Sequence, residues 1–387
     1  MFLKHVNSTQ KLTGIYIHVP FCKQACHYCD FHFSTSMRRK HEVVQAICQE
    51  IILQQNYLSS RELQTIYLGG GTPSLLTATE LDKIFTTLHQ HFTIAADAEI
   101  TLEANPDDLT AAKINELKQS PVNRLSIGLQ SFHDPHLRLM NRVHSANESL
   151  ASVQLAQDSG FSNITVDLIY GIPAANHSIW AKDLEQVVAL QVPHVSAYAL
   201  TIEPKTALGN WTKKGTFIPS EDEFVATQFE MLLTHMQTHG YEQYEISNFA
   251  QPGWESRHNS NYWKGVPYLG LGPSAHSFNG SSRQYNVANN SQYLAALSQN
   301  KIPATVETLS LADQANEYLM TTLRTIWGCD LNKIKNTFGF DLQQLHGNYL
   351  SRIIQKGMAQ LENNTLTLTN QGKLLADQIT LDLFIAE

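Results

Sequence analysis

Three cysteines stand close together in Cys22-Lys-Gln-Ala-Cys26-His-Tyr-Cys29, a C-x3-C-x2-C spacing directly after the apolar run Ile15-Tyr16-Ile17-His18-Val19-Pro20. Thiols packed this densely favour a metal centre over three core side chains. Two centres fit the donor set. An iron-sulfur cubane held by three cysteines leaves one iron without a protein ligand, and chemistry can occur there. A zinc ion needs a fourth donor; His27 or His32 would complete a closed Cys3His structural site, although no second cysteine knuckle follows. Cys48, inside an amphipathic helical stretch, and Cys329, after Gly328, read as packed thiols.

Further along, Gly69-Gly70-Gly71-Thr72-Pro73 sets three residues without side chains beside a rigid turn, so a ligand can approach the backbone closely. It is either a tight turn or a binding loop, and it is neither a dinucleotide fingerprint nor a phosphate loop. Glu103 and Asp167 offer carboxylates that either accept hydrogen bonds from a ligand or cap helices. Arg142 suits a carboxylate by bidentate pairing, or else forms a surface ion pair. His258, followed by Tyr262, Trp263 and Tyr268, combines an imidazole with flat apolar faces; His276 is a weaker second candidate. With 17 histidines in the chain, packing is the default role for any one of them.

The elements that position these residues alternate. Strands are predicted at 14–19, 64–69, 99–104, 123–128, 163–169 and 194–200, with helices near 38–57, 77–92, 110–119, 146–159 and 177–190. Thr77-x-x-Glu80, Ser145-x-x-Glu148 and Ser220-x-x-Glu223 read as capping boxes that open helices. Six βα units predict a curved parallel barrel, closed or three-quarter, whose strand C-terminal ends carry the site. The cysteine loop, the glycine turn, Glu103, Gln130, Asp167 and Thr201 follow or end the six strands in turn. Residues 265–280 read as a turn-rich loop over the barrel mouth. Beyond about residue 300, helices near 313–327, 330–337 and 341–357 precede an alternating hairpin at 359–369 with an Asn-Asn turn and a last helix, a winged-helix-like order. The expected organisation is a barrel core at 1–245, a motif and linker region at 246–300, and a small α+β accessory domain at 301–387.

Composition is that of an ordinary globular chain of 387 residues, 42% hydrophobic and 16% charged. A net charge of -8 argues against a broad nucleic-acid surface, and the C-terminal unit lacks a basic face. No apolar run approaches the ~20 residues that span a bilayer, and Met1-Phe2-Leu3-Lys4-His5 has no secretory character. With few cysteines, the expectation is a cytoplasmic protein.

Taken together, YIHVPFCKQACHYCDF, YLGGGTPSLL, EANPDDLT, NRLSIGLQSF, NRVHS, VDLIYGIP and YEISNFA resemble the oxygen-independent coproporphyrinogen III oxidase group of radical S-adenosylmethionine (SAM) proteins. The resemblance covers most of residues 14–280. It implies a partial (βα)6 TIM-like radical SAM barrel with a small C-terminal α+β domain. It also implies a [4Fe-4S] cluster on Cys22, Cys26 and Cys29, with SAM chelating the open iron. One electron would then cleave SAM to a 5'-deoxyadenosyl radical. Tyr16, Gly70, Thr72 and Glu103 would border SAM, with Gly71, Gln130, Arg142, Asp167 and Thr201 nearby and Tyr28 beside adenine.

Within the group the chain looks more like the haem-chaperone branch than the oxidase. Asp30-Phe31 stands where the oxidase has a further cysteine, only 21 residues precede Cys22, and Arg257-His258-Asn259-Ser260-Asn261-Tyr262 resembles the HNxxY motif of the chaperones. That branch implies haem as ligand, with His258 and Tyr262 at its site. The implied partners are haem-requiring client proteins, respiratory and membrane-associated, and an electron donor where SAM is cleaved. A second copy of the chain, forming a homodimer, is the further partner considered. The alternatives are the decarboxylating oxidase itself and a zinc-stabilised structural protein.

Overall fold

Gly14–Val19 (β1), Glu62–Gly70 (β2), Thr93–Ala104 (β3), Arg124–Gln130 (β4), Ile164–Tyr170 (β5) and His194–Ala199 (β6) form consecutive parallel neighbours. Each pair is separated by a helix, as the alternation of apolar strand and amphipathic helix predicts. The helices Lys40–Leu53, Ala78–His91, Ala111–Lys118, Ala146–Asp158 and Ser178–Ala189 match the expected segments within a few residues. These assignments come from a computed structural model that describes residues 12–386; the N-terminal segment read above as non-secretory lies outside the described residues. Among the described residues no helix is long and apolar enough to cross a membrane.

The capping boxes at Thr77 and Ser145 are both formed, each hydroxyl accepting from the Glu backbone amide three residues on while that carboxylate reaches back. The third is not. The helix Asp222–Thr238 begins one residue later than expected, with Glu221 at the cap and no side-chain cap bond, and the Ser220 hydroxyl is left buried without a partner. Asp222 and Glu223 stand in the first turn instead, where carboxylates complement the helix dipole.

The sheet does not close, and it does not stop at six strands. Glu242–Glu245 (β7) and Asn248–Ala250 (β8) extend it beyond β6. At the other edge, Tyr268–Leu271 (β9) pairs parallel to β1 and carries the antiparallel strands His276–Phe278 (β10), Ser282–Asn286 (β11) and Ala304–Thr308 (β12). The segment 265–280, expected as a loop over the mouth, therefore contains two short strands, Tyr268–Leu271 and His276–Phe278, joined by a turn. The reason lies in pairing: β1 would otherwise be an unprotected edge, and β9 satisfies its outward amides and carbonyls. Gly270 allows the tight return, since a Cβ there would sit 2.0 Å from the His276 carbonyl oxygen.

One apolar core fills the space between the parallel strands and their helices, with Ile15, Ile17, Ile66, Leu68, Leu102, Leu125, Ile127, Val166 and Leu168 buried. A second core, built around Leu319, Ile334, Leu350, Ile353 and Leu366, belongs to the C-terminal segment. There Cys329–Asp330 (β13), Ala359–Glu362 (β14) and Thr365–Leu368 (β15) form a three-stranded sheet in the order β13-β15-β14. The Asn363-Asn364 turn has both residues at positive φ, 49° and 62°, as a two-residue hairpin requires. The helix expected near 313–327 ends at Thr322, because the chain turns there to bridge Thr325 to Glu245 of the barrel sheet.

Candidate cofactor site

The cysteine loop leaves β1 without regular structure, so its backbone must find partners elsewhere. It finds them in segment 139–142. The His27 amide donates to the Met140 carbonyl at 3.1 Å, Asn141 Nδ2 donates to the Ala25 carbonyl at 2.7 Å, and Gln24 Nε2 donates to Asn141 Oδ1 at 2.6 Å. Lys23 pairs with Asp107 at 2.7 Å and with Asp108, which fastens the loop to the turn after β3. Cys22, Cys26 and Cys29 are half-buried and line one cavity of about 480 Å³ at the C-terminal ends of β1 to β6.

That cavity collects Tyr28, Gly70, Gly71, Thr72, Glu103, Gln130, Arg142, Asp167 and Thr201, all singled out from sequence. Arg142 is the cation beside the thiols. Its Nη1 lies 3.5 Å from Cys26 Sγ, Nη2 donates to Asn105 Oδ1 at 2.6 Å and to the Gly128 carbonyl at 2.8 Å, and its buried Nε has no partner. Burial pushes the Cys29 thiol up to about 11. Gln130 sits in a bulge of β4 at φ 69°, a left-handed conformation that costs energy for a residue with a side chain and so marks a built site.

The glycine turn is shaped by contact rather than by flexibility alone. Gly70 is at φ 103°, and a Cβ on it would overlap the His18 ring at 2.4 Å. Its amide donates to Glu103 Oε2 at 3.1 Å, while the Tyr67 hydroxyl donates to Oε1 at 2.8 Å. Burial, with nearby Asp167 adding to it, raises the Glu103 carboxyl to about 7 despite these two bonds. Burial likewise raises Asp167 to about 6, where Ser126 donates at 3.3 Å. Two enclosed carboxyls facing one cavity are poised to take up cationic or hydroxyl-bearing ligands.

Tyr16 is not in this group. It faces a second cavity, about 670 Å³, together with His18, His258, Tyr262, Tyr268 and His276. Tyr16 stacks on Tyr67 with ring centres 6.1 Å apart, and its hydroxyl meets His18 Nδ1 at 3.2 Å. His258 opens the helix Arg257–Trp263. Ser256 caps that helix, and Glu99 of β3 accepts from the amides of Arg257 and His258 at 2.9 Å each. A carboxylate at a helix N-terminus is favoured by the helix dipole. The His258 Nδ1 meets the Thr65 hydroxyl at 2.9 Å, the ring stacks on Tyr67 at 5.1 Å, and Nε2 has no partner among the described residues. Burial, then the Arg124 cation, lowers His258 to about 3, so the imidazole is neutral and able to act as a ligand.

Sequence reasoning passed over Tyr67, Glu99, Asn105 and Arg124. Tyr67 lies mid-strand, where alternation alone does not reveal which face meets a cavity. The Asn105-Pro106 pair after Glu103 was the available signal for Asn105.

A Cys3His zinc site would take its fourth donor from His27 or His32, each of which spends one ring nitrogen on a neighbour: His27 Nδ1 meets the Leu139 carbonyl at 2.8 Å and its ring packs on Trp211, while His32 Nε2 meets Asn290 Oδ1 at 2.8 Å. Among the described residues no group of three or more His, Cys, Asp or Glu side chains is set to hold a single metal ion. Three thiols lining a cavity beside an incompletely partnered Arg142 instead fit a larger polynuclear centre with an open face.

An open parallel barrel with three thiols after its first strand defines a radical SAM protein. Residues 16–187 match the Radical SAM superfamily and residues 309–375 match the HemN C-terminal domain. The solved structure of coproporphyrinogen III oxidase (HemN) from Escherichia coli, described as a radical SAM enzyme, superposes with a TM-score of 0.84 at 22% identity, covering 97% of this chain and 90% of that one. This likeness shows the fold. The chain belongs to the HemW family. It is 34% identical to heme chaperone HemW of Bacillus subtilis over 95% of this chain and 98% of the relative. It is 33% identical to heme chaperone HemW of Lactococcus lactis over 96% and 97%. The fold implies a [4Fe-4S] cluster and SAM.

Proposed function

We propose that the protein is a haem chaperone: it holds a [4Fe-4S] cluster on Cys22, Cys26 and Cys29, binds SAM in the adjoining cavity, binds haem through His258, and passes haem to client proteins. The observation that carries this reading is the adjacency of the two cavities, one lined by thiols, glycines and carboxyls, the other by aromatic rings and an imidazole with a free Nε2. The curated relatives named heme chaperone support it.

In this reading Glu103 and the Gly70 turn take the amino group of SAM, and Arg142 takes its carboxylate by paired charge-assisted hydrogen bonds. Asp167 accepts from ribose hydroxyls, with Gln130 and Thr201 at the rim and Tyr28 against adenine. When bound, the cluster supplies an open iron for chelation and a source of single electrons, and SAM cleavage would need an external electron donor. Tyr262 and Tyr268, 5.3 Å apart between ring centres, offer flat surfaces to a porphyrin, and His258 Nε2 offers an axial ligand. Client proteins are respiratory, haem-requiring and membrane-associated, and the chaperone acts from the cytoplasm.

The test pairs two measurements on anaerobically reconstituted protein. Haem titration followed in the Soret band gives saturable binding, and His258→Ala lowers haem affinity about tenfold or more, consistent with loss of a direct ligand. Incubation with SAM, a reductant and coproporphyrinogen III leaves the porphyrinogen unchanged. Formation of protoporphyrinogen would overturn the chaperone reading in favour of the oxidase.

A further inference from the structure

Tyr67 has no role in the ligand assignments above, yet it stands between them. It lies in the middle of β2 and lines both cavities. Its hydroxyl donates to Glu103 Oε1 at 2.8 Å, and its ring stacks on the His258 imidazole, with centres 5.1 Å apart and planes 30° from parallel. On the side of the cluster, Glu103 also accepts from the Gly70 amide. On the side of the aromatic cavity, His258 is held by the Thr65 hydroxyl and by this stack. Among the described residues, Tyr67 alone makes a hydrogen bond or ring contact to both Glu103 and His258. Glu103 itself borders both cavities, as do Asp30, Phe31, Tyr198 and Asn259, but none of these makes a contact that joins the Glu103 and His258 side chains.

We propose that Tyr67 is a positioning residue that couples the cavities: a cationic amino-acid group bound at Glu103 fixes the Tyr67 phenol, and through it His258, so that SAM binding tightens haem binding. The proposal rests on the assignment of SAM and haem to these cavities. The physical route is short. A carboxylate held ionised by a neighbouring cation accepts a phenol hydrogen bond roughly twice as strong as a neutral one. A phenol fixed in this way presents a settled face to the imidazole, and less side-chain freedom then remains to be lost when Nε2 engages iron. Linkage makes the effect reciprocal, so haem tightens SAM by the same factor.

The experiment uses the full chain with its cluster reconstituted and no reductant, so that SAM stays intact. Haem is titrated by Soret absorbance without and with saturating SAM, and SAM is titrated by calorimetry without and with haem. The native protein is expected to show about a fivefold or greater tightening of haem by SAM, at the lower end of ordinary allosteric coupling. Tyr67→Phe keeps the ring and the stack but loses the bond to Glu103. Its coupling factor is expected to fall towards one, while haem affinity without SAM changes by less than about twofold.

A factor of one in the native protein, with both ligands bound, overturns the coupling and leaves the function assignment standing. An undiminished factor in Tyr67→Phe overturns the role of Tyr67. Failure of the native chain to bind haem under any condition overturns the function assignment and the coupling with it. Should Tyr67→Phe not fold, a fluorotyrosine placed at position 67 decides: its fluorine resonance is expected to move when SAM binds, and a resonance that SAM leaves unmoved while haem is tightened overturns the role of Tyr67.

Discussion

The two cavities are built in opposite ways. The cluster-side cavity takes most of its residues from the C-terminal ends of successive strands β1 to β6 and the turns after them, with Arg124, Thr165 and His194 at its floor from the strand starts. The aromatic cavity gathers Tyr16 and His18 from β1, Tyr67 from β2, His258 and Tyr262 from a short helix, Tyr268 from β9, and Arg324 from the C-terminal side. A repeated βα scaffold makes the first a property of local sequence. The second depends on how distant segments pack.

The sharpest way to break this contrast is at the thiols. Cys26→Ser is expected to remove essentially all cluster iron and the thiolate-to-iron absorbance while far-ultraviolet circular dichroism stays native, because the loop is held by its bonds to Met140, Asn141 and Asp107 as well. Retention of a full iron complement would mean that the three thiols are not a unit.

Next in size is Glu103→Gln. At about pH 8 it should weaken SAM about 10- to 100-fold, the loss of a hydrogen bond to a charged group being worth about 1.5–3 kcal/mol. The sign of the pH effect follows from the raised carboxyl. In the unliganded protein the stability contributed by Glu103 is present below its ordinary value and is lost as pH rises through about 7. A cationic ligand prefers the ionised form, so SAM affinity should climb from about pH 5.5 to about pH 8 and level off above the folded value. Calorimetric titration across that range checks it, with Glu103→Gln keeping only the smaller rise that Asp167 gives around pH 6; a native profile that matches the variant's would sink the assignment.

The smallest effect is expected at Arg324, which stacks over Trp263 at 4.7 Å and pairs with the buried Glu245 at 2.7 Å. Arg324→Ala should weaken haem about two- to fivefold, the worth of a cation–π contact of about 0.5–1 kcal/mol, and leave SAM affinity unchanged. Equal losses at both cavities would show that the C-terminal segment supports the whole rim.

How much could be read in advance differs in the same way. The six strands, the five helices between them and the two capping boxes at Thr77 and Ser145 follow from local pattern, and so does the strand-end placing of Gly70, Gly71, Thr72, Glu103, Gln130, Asp167 and Thr201, whereas Tyr28 and Arg142 were placed beside the cysteines through the family resemblance. Tyr16 lines the adjoining cavity, which shares Tyr67 and Glu103 with the first, because its position on β1 turns it towards β9 and Tyr67. The strand β9 itself was read as loop, since a four-residue strand has little periodicity and gains its stability from pairing with β1.

The sequence alone therefore determined the close grouping of Cys22, Cys26 and Cys29, the βα repeat and the hairpin at Asn363-Asn364, because each depends on spacing within a few residues. Only the tertiary structure decided that His27 and His32 each spend one ring nitrogen on Leu139 and Asn290, and that Glu99 anchors the helix bearing His258. It also placed Tyr67 between Glu103 and His258. These contacts join residues from 36 to 258 positions apart, a separation over which no local pattern carries information.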